Sequence, residues 1–140
     1  MSNFDLEFTQ IQIDMVAICL EYSRQNCDKI YIHVIHENST TFVNYFFQAN
    51  GEMVTKNQIS SDDNLINTKR QQDTLSIILN DARKLFKLCN KYNQTIPTEM
   101  KIIYDVKNQK LDSEYNYSQI TTDTKCDHDI SIEWFESLKQ

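Results

Sequence analysis

The segment QKLDSEYNYSQI, residues 109–120, holds the one carboxylate pair of the chain that a strand would fix on a single face. Asp112 and Glu114 are two positions apart, and side chains alternate between the two faces of a strand. Paired carboxylates can carry out acid–base catalysis when burial raises the pKa of one member. The intervening tyrosines supply the face that should pack against a helix. We therefore expect both acids to face water, which disfavours catalysis by this pair.

The segment CDHD, residues 126–129, brings together a thiol, an imidazole and two carboxylates. A zinc site needs four ligands, usually two pairs with characteristic spacings, and no second pair is evident. A Cys126–His128 nucleophile pair would also need a strand-to-helix turn with small neighbours that exposes the thiol. The simpler interpretation is a polar loop followed by a helix that Asp129 caps.

Two further patterns are less specific. His33 and His36 are three positions apart on a predicted strand, so they point to opposite faces and cannot bind one ion. Glu99-x-Lys101 resembles the end of a nuclease metal site, which also needs an aspartate on a neighbouring strand. Because a predicted helix precedes Glu99, we interpret it as a solvated strand start after Pro97.

The composition limits the classes of protein to which this chain can belong. The 140 residues predict a single domain, 1–140. One glycine is too few for a glycine-rich phosphate loop, which excludes most nucleotide-dependent enzymes. The sequence shows neither a signal peptide nor a membrane span, and its four cysteines are scattered. We expect a cytoplasmic protein with free thiols and no cofactor.

The negative charge is concentrated in the last part of the chain. Residues 1–111 hold 13 acids and 12 bases, whereas residues 112–140 hold seven acids and two bases, a net of −5. Nucleic-acid binding needs a cationic footprint, so this asymmetry argues against a nucleic-acid partner. It favours a basic protein partner or a solvated acidic segment.

Hydrophobic periodicity predicts the elements that position these residues. Apolar residues three and four apart indicate helices, and alternation rich in β-branched and aromatic residues indicates strands. Asn38-Ser39 and Asn50-Gly51 mark turns, and a polar loop covers 60–72. The predicted helices are 3–25, 73–92 and 129–139, and the predicted strands are 29–37, 40–48, 52–59, 99–106 and 110–120. The order α-β-β-β-α-β-β-α predicts an α+β fold with a mainly antiparallel sheet and helices packed on it.

The run Tyr45-Phe46-Phe47 places aromatic side chains on both faces of its strand. We expect at least one of them to point away from the helix-covered face. An exposed aromatic beside acids would be a suitable binding hot spot for a protein partner. Trp134 is expected in the core.

Several segments also form a pattern when they are taken in order. DKIYIHVIHE follows an N-terminal helix, and TTFVNYFFQANGEMV adds an aromatic strand and a hairpin. LNDARKLFKLCNKYNQTIPTEMKIIYDVKNQKLDSEYNYSQI joins a helix to a hydrophobic strand, a lysine-bearing turn and an acidic strand with tyrosines, and IEWFESL carries a Trp. From about residue 28 onward, the chain resembles the YezG-like immunity (antitoxin) proteins of bacterial toxin and contact-dependent inhibition systems. Members usually have a Trp just after the proline before the acidic hairpin, where this chain has Thr98.

The resemblance implies an intracellular, non-catalytic protein that binds and neutralises a cognate toxin, often a nuclease, as a one-to-one complex. It implies no cofactor, metal, small-molecule substrate, direct nucleic-acid contact or membrane partner. An acidic surface suits this role, because nucleases carry cationic surfaces for phosphate. The candidate interface residues are Asp112, Glu114, Asn116, Asp123, Asp127, Asp129 and Glu133.

Two other functions remain open at this point. One is a small hydrolase that uses Cys126 and His128, or the carboxylate pair. The other is a general protein-interaction adaptor without a dedicated toxin. The lack of a complete catalytic constellation disfavours the hydrolase. A toxin gene immediately upstream would distinguish an immunity protein from an adaptor.

Overall fold

The computed structural model describes residues 2–59 and 68–139, in which three helices and five strands occur. The helices are α1 (Asn3–Ser23), α2 (Thr68–Lys91) and α3 (Asp127–Ser137), and the strands are β1 (Lys29–Glu37), β2 (Thr40–Ala49), β3 (Glu52–Val54), β4 (Glu99–Asp105) and β5 (Lys110–Asn116). The predicted α+β class and the predicted order of elements are both confirmed.

The strands form one antiparallel sheet in the order β3-β2-β1-β4-β5. Turns with positive φ join β1 to β2 and β2 to β3: φ is 52° and 62° at Asn38 and Ser39, and 55° and 79° at Asn50 and Gly51. Two consecutive residues with positive φ match the twist of antiparallel strands, and Asn and Gly adopt this conformation at the lowest cost. The predicted turns are confirmed, and β1 is the central strand.

The main core lies between one face of the sheet and helices α1 and α2. The even-numbered residues of β1 point into it, and Ile30, Ile32 and Val34 are at most 1% exposed. Residues three and four apart on each helix meet this face, as the periodicity predicts. The buried helical residues include Met15, Val16, Cys19, Ile78, Ala82, Leu85 and Cys89.

The second face of the sheet carries a smaller core beneath α3. Tyr31, Phe46 and Trp134 pack together there, with ring centroids 5.1–5.7 Å apart. Since β1 is covered on both faces, it reads as a nearly continuous apolar run rather than a simple alternation. The expectation of an exposed aromatic in Tyr45-Phe46-Phe47 is wrong, because α3 covers the one ring that points away from α1 and α2.

Side-chain hydrogen bonds lie at the starts of α1 and α3. Ser2 caps α1 by accepting a hydrogen bond from the backbone N–H of Asp5. Helix α3 begins at Asp127 with Cys126 as its cap, so the prediction that Asp129 caps it is wrong. Asp129 is the third helical residue, and its carboxylate accepts from the backbone N–H of Cys126 at 3.1 Å.

Two strands are shorter than predicted because polar side chains bend the chain. After β3, Gln58 bonds to Thr55 through both its side chain and its backbone N–H. After β5, the Asn116 amide oxygen accepts from the backbone N–H of Ser118, which is a local turn that competes with the strand ladder. Helix α2 begins at Thr68, so it takes up the end of the predicted 60–72 loop; residues 60–67 of that loop lie outside the described residues.

All four cysteines are free thiols, as predicted. Cys19 and Cys89 are buried in the faces of α1 and α2, and burial raises the pKa of both thiols. Among the helices that the structure describes, none has the length and apolar content that a membrane crossing requires.

Candidate functional site

Strand β5 carries the carboxylate pair Asp112 and Glu114. Asp112 and Glu114 point to the same face of the sheet as α3, opposite Ile103 and Lys101 of β4. Both acids are exposed, as the alternation predicts. Within the described residues, neither of them forms a salt bridge, so both carboxylates are open to a partner.

The other face of β5 is tied to helix α1. The side chain of Gln12 donates to the Tyr115 hydroxyl at 3.0 Å and accepts from the Ser113 hydroxyl. The Tyr115 ring also lies edge-on to Phe8, with the ring centroids 5.8 Å apart. This face therefore packs on a helix as expected, although Tyr115 stays 41% exposed.

A groove of about 500 Å³ opens beside these tyrosines. Tyr117 lies just beyond the end of β5, is 56% exposed and forms part of the wall. Aromatic rings that are partly exposed and partly packed are typical of protein-binding hot spots. The residues that line the groove are Phe4, Asp5, Phe8, Cys89, Gln94, Thr95, Pro97, Tyr115 and Tyr117.

Two predicted interface residues at the start of α3 make bonds within the chain. Asp129 accepts from the backbone N–H and the thiol of Cys126, and these two bonds lower the pKa of its carboxyl. Glu133 pairs with Lys125 at 2.7 Å. Both side chains are exposed, but a partner would have to compete with these contacts.

The remaining predicted acids lie in the loop before α3 and at the first residue of that helix. Asp123 is exposed in a turn that the Thr122–Lys125 bridge closes. Asp127 is half-buried in the first turn of α3, where a negative charge suits the helix dipole. Among the described residues, no hydrogen bond or salt bridge connects these two acids with Asp112 or Glu114.

Glu37, at the end of β1, holds the loop before α3 in place. Its carboxylate accepts hydrogen bonds from the backbone N–H groups of Ile120 and Thr121, both at 2.9 Å, and from the Thr121 hydroxyl at 3.1 Å. Burial acts to raise the pKa of Glu37, but these hydrogen bonds outweigh it, and the pKa lies below its ordinary value. Sequence reasoning missed this contact, since it joins residues more than 80 positions apart.

A buried polar pair lies on the same face of the sheet, under Trp134. His33 Nε2 is 2.6 Å from Glu99 Oε2, and the two residues are 0% and 8% exposed. Glu99 does begin β4 after Pro97, but the interpretation that it is solvated is wrong, because it lies diagonally across from a buried histidine of β1. His33 and His36 do point to opposite faces, as predicted, since His36 packs on Phe86 of α2.

The surroundings of Glu99 favour its charged form. The hydrogen bond from His33 lowers the pKa of the Glu99 carboxyl, and the positive charge of Lys101 adds to this effect against the opposing effect of burial. The Lys101 ammonium lies 5.5 Å from the centroid of the Trp134 ring, a cation–π contact at the rim of the pair. An ionised carboxylate only accepts hydrogen bonds, so Nε2 of His33 carries the proton, and Nδ1 is buried with no hydrogen-bond partner among the described residues.

The residues of the hydrolase alternative do not form a nucleophile pair. The Cys126 thiol donates to Asp129 at 3.3 Å, and the His128 ring lies against Phe42. The described part of the chain contains no group of three or more His, Cys, Asp or Glu side chains that could hold a metal ion. The arrangement is a helix start after a polar loop, as in the simpler interpretation of CDHD, but with Cys126 rather than Asp129 at the cap position.

Charge is unevenly distributed over the fold. Helix α2 holds six bases and two acids, a net of +4, whereas α1 holds four acids and no base, a net of −4, and both helices cover the face opposite α3. The acidic segment 112–140 contributes the β5 edge of the sheet and α3. Because α1 and α2 together carry no net charge, the excess negative charge lies on the β5 and α3 side, toward which a cationic partner would be steered.

No protein-family model matches this chain, and no curated protein sequence matches it significantly.

Proposed function

We propose that this protein is an immunity protein that binds a cognate bacterial toxin domain, one to one, and neutralises it through the acidic side of the sheet. The observation that carries the proposal is the pair Asp112 and Glu114, which are exposed on an edge strand without salt bridges. Carboxylates in this state are available to a cationic surface such as the phosphate-binding face of a nuclease.

The tyrosines beside this pair support the same role. Tyr115 and Tyr117 present large, partly exposed rings, and tyrosine is enriched among residues that dominate binding energy. Acids next to exposed aromatics combine electrostatic steering with apolar burial. The resemblance to YezG-like immunity proteins in order and pattern agrees with this role.

The polar groups elsewhere on this face suit a scaffold better than a catalyst. His33 and Glu99 are bonded to each other beneath Trp134, so a substrate could not reach them without moving α3. Their hydrogen bond joins β1 to β4, and β4 in turn pairs with β5. We therefore propose a protein without catalysis of its own that acts in the cytoplasm, where a toxin would be neutralised.

The test is co-expression with the C-terminal domain encoded by the gene immediately upstream. We expect the two proteins to copurify as a one-to-one complex and the growth defect caused by that domain to disappear. If the domain remains toxic and does not copurify, the immunity function is wrong. Copurification with unchanged toxicity would instead indicate an adaptor.

A further inference from the structure

Among the described residues, the sheet has one long edge that no further strand covers. Of its two edge strands, β3 has only three residues, whereas β5 has seven. An exposed edge presents unpaired backbone N–H and C=O groups, which another extended segment can pair with. Strand β5 is therefore the place where the sheet could be extended.

The alternation of the ladder shows which backbone groups are free. Just beyond the two ends of β4, His36 N donates to Thr98 O and Val106 N donates to Asp28 O, so the even-numbered residues of β4 between them turn their backbone groups toward β1. The odd-numbered residues of β4 then face β5, and their partners in β5 are the even-numbered ones. The backbone N–H and C=O groups of Leu111, Ser113 and Tyr115 are consequently directed outward.

The two faces of this edge have different chemistry. Asp112 and Glu114 lie on one face, while Tyr115 lies on the other beside the aromatic groove. In antiparallel pairing, a residue on an added strand shares a face with the residue directly opposite it. An added strand would thus place alternate side chains against carboxylates and against aromatic rings.

We propose that the free edge of β5 binds an extended segment of the partner as a sixth strand of the sheet. This segment carries Lys or Arg opposite Asp112 and Glu114, and apolar or aromatic residues opposite Ser113 and Tyr115. The inference rests on the proposed function, since it specifies how the toxin is held. Backbone hydrogen bonds provide affinity, and the alternating side chains provide selectivity.

A second copy of this chain is a poorer occupant. An antiparallel pair of two β5 strands centred on Ser113 would use the whole strand, but it would set Asp112 of one copy opposite Glu114 of the other. Like charges directly opposite each other destabilise a sheet. The charge pattern therefore selects a basic strand.

The first test measures amide hydrogen exchange in the protein alone. We expect fast exchange at Leu111, Ser113 and Tyr115, and slow exchange at Asp112 and Glu114, whose N–H groups face β4. Slow exchange at all five positions would show that the edge is already occupied, and it would overturn the inference. A concentration-dependent dimer by sedimentation, with those three amides protected, would overturn it as well.

The second test uses a capped seven-residue peptide that alternates lysine with tyrosine or valine. We expect it to slow exchange at the three outward amides. N-methylation of its apolar residues, whose N–H groups would pair with β5, should weaken binding at least tenfold. N-methylation of its lysines is the matched control and should change binding less than twofold. Equal loss from the two methylations would overturn the inference.

Charge provides an independent check on the same complex. The variant D112K/E114K should bind the lysine peptide at least tenfold more weakly than the wild type does. It should bind a second peptide, in which glutamate replaces each lysine, more tightly than the wild type does. Equal binding of both peptides by the variant would overturn the inference. If the toxin copurifies but leaves the three outward amides unprotected, the edge pairing is wrong while the immunity function stands.

Discussion

His33 on the central strand and Glu99 on its neighbour form a buried hydrogen bond of 2.6 Å beneath the Trp134 ring. The bond joins residues that are 66 positions apart in the chain. A buried pair of this kind is costly to break from one side, since the remaining group keeps the cost of desolvation without its partner.

The His33–Glu99 pair should behave as a unit. We expect H33L and E99L each to lower the free energy of unfolding by about 3–5 kcal/mol, because each leaves one buried polar group unpaired. The double variant H33L/E99L should recover most of that loss. Urea unfolding of the four proteins measures the coupling. Additive losses in the double variant would show that the two side chains do not stabilise each other.

Trp134 should account for most of the stability that α3 provides. Truncation by W134A removes packing against Tyr31, Phe46 and His33, and should cost about 3–5 kcal/mol in the free energy of unfolding. The control is I132A on the same helix, since Ile132 is 45% exposed and should cost under about 0.5 kcal/mol. Similar losses for the two variants would mean that α3 does not pack through Trp134.

The Glu37 anchor should make the segment around residue 120 sensitive to acid. The pKa of Glu37 is lowered in the folded protein, so its stabilisation is fully present above its ordinary pKa of 4.5 and is lost as the pH falls through the lower folded value. We expect E37Q to lower the free energy of unfolding by about 1–2 kcal/mol at pH 7. The difference from the wild type should shrink below pH 4.5.

Amide exchange at Ile120 and Thr121 checks this anchor directly, because both N–H groups donate to Glu37. Exchange there should accelerate in E37Q and remain slow in E52Q, which changes an exposed glutamate in β3. A pH-independent difference in stability would contradict the role assigned to the Glu37 charge.

Charge reversal on β5 should act on the rate of toxin binding. With D112K/E114K, we expect the association rate to fall by about ten- to a hundredfold at low salt and its salt dependence to flatten, while the fold is kept. The matched control E21K/E52K makes the same change in net charge at exposed positions on α1 and β3. Stopped-flow association across a range of salt concentrations measures both. An equal effect of the two variants would indicate that the overall charge, rather than the β5 surface, determines the association rate.

Local patterns predicted most of the fold. The pattern predicts the bounds of β1 to the residue, because β-branched and aromatic side chains fill this strand between clear turn signals. The exposure of Asp112 and Glu114 also follows from period two alone. These features depend only on near neighbours in the chain.

The features that the sequence did not predict depend on contacts between residues that are far apart in the chain. Glu99 is buried because His33 lies beside it in the sheet, and Phe46 is buried because α3 returns across the second face. Cys126 rather than Asp129 is the cap residue of α3. The carboxylate of Asp129 accepts a hydrogen bond from the backbone N–H of Cys126 instead. The continuous apolar character of β1 was the one local sign that both faces of the sheet are covered.

The position of β1 between β2 and β4 has a consequence for the speed of folding. Ile32 pairs with Tyr45, 13 positions further along the chain, and with Ile102, 70 positions further along. Closing the longer loop costs about 1.5 kcal/mol more in chain entropy. We expect β1 to pair with β2 early and with β4 late, so the pairing of β1 with β4 limits the folding rate. The free β5 edge then forms only after β1 and β4 have paired.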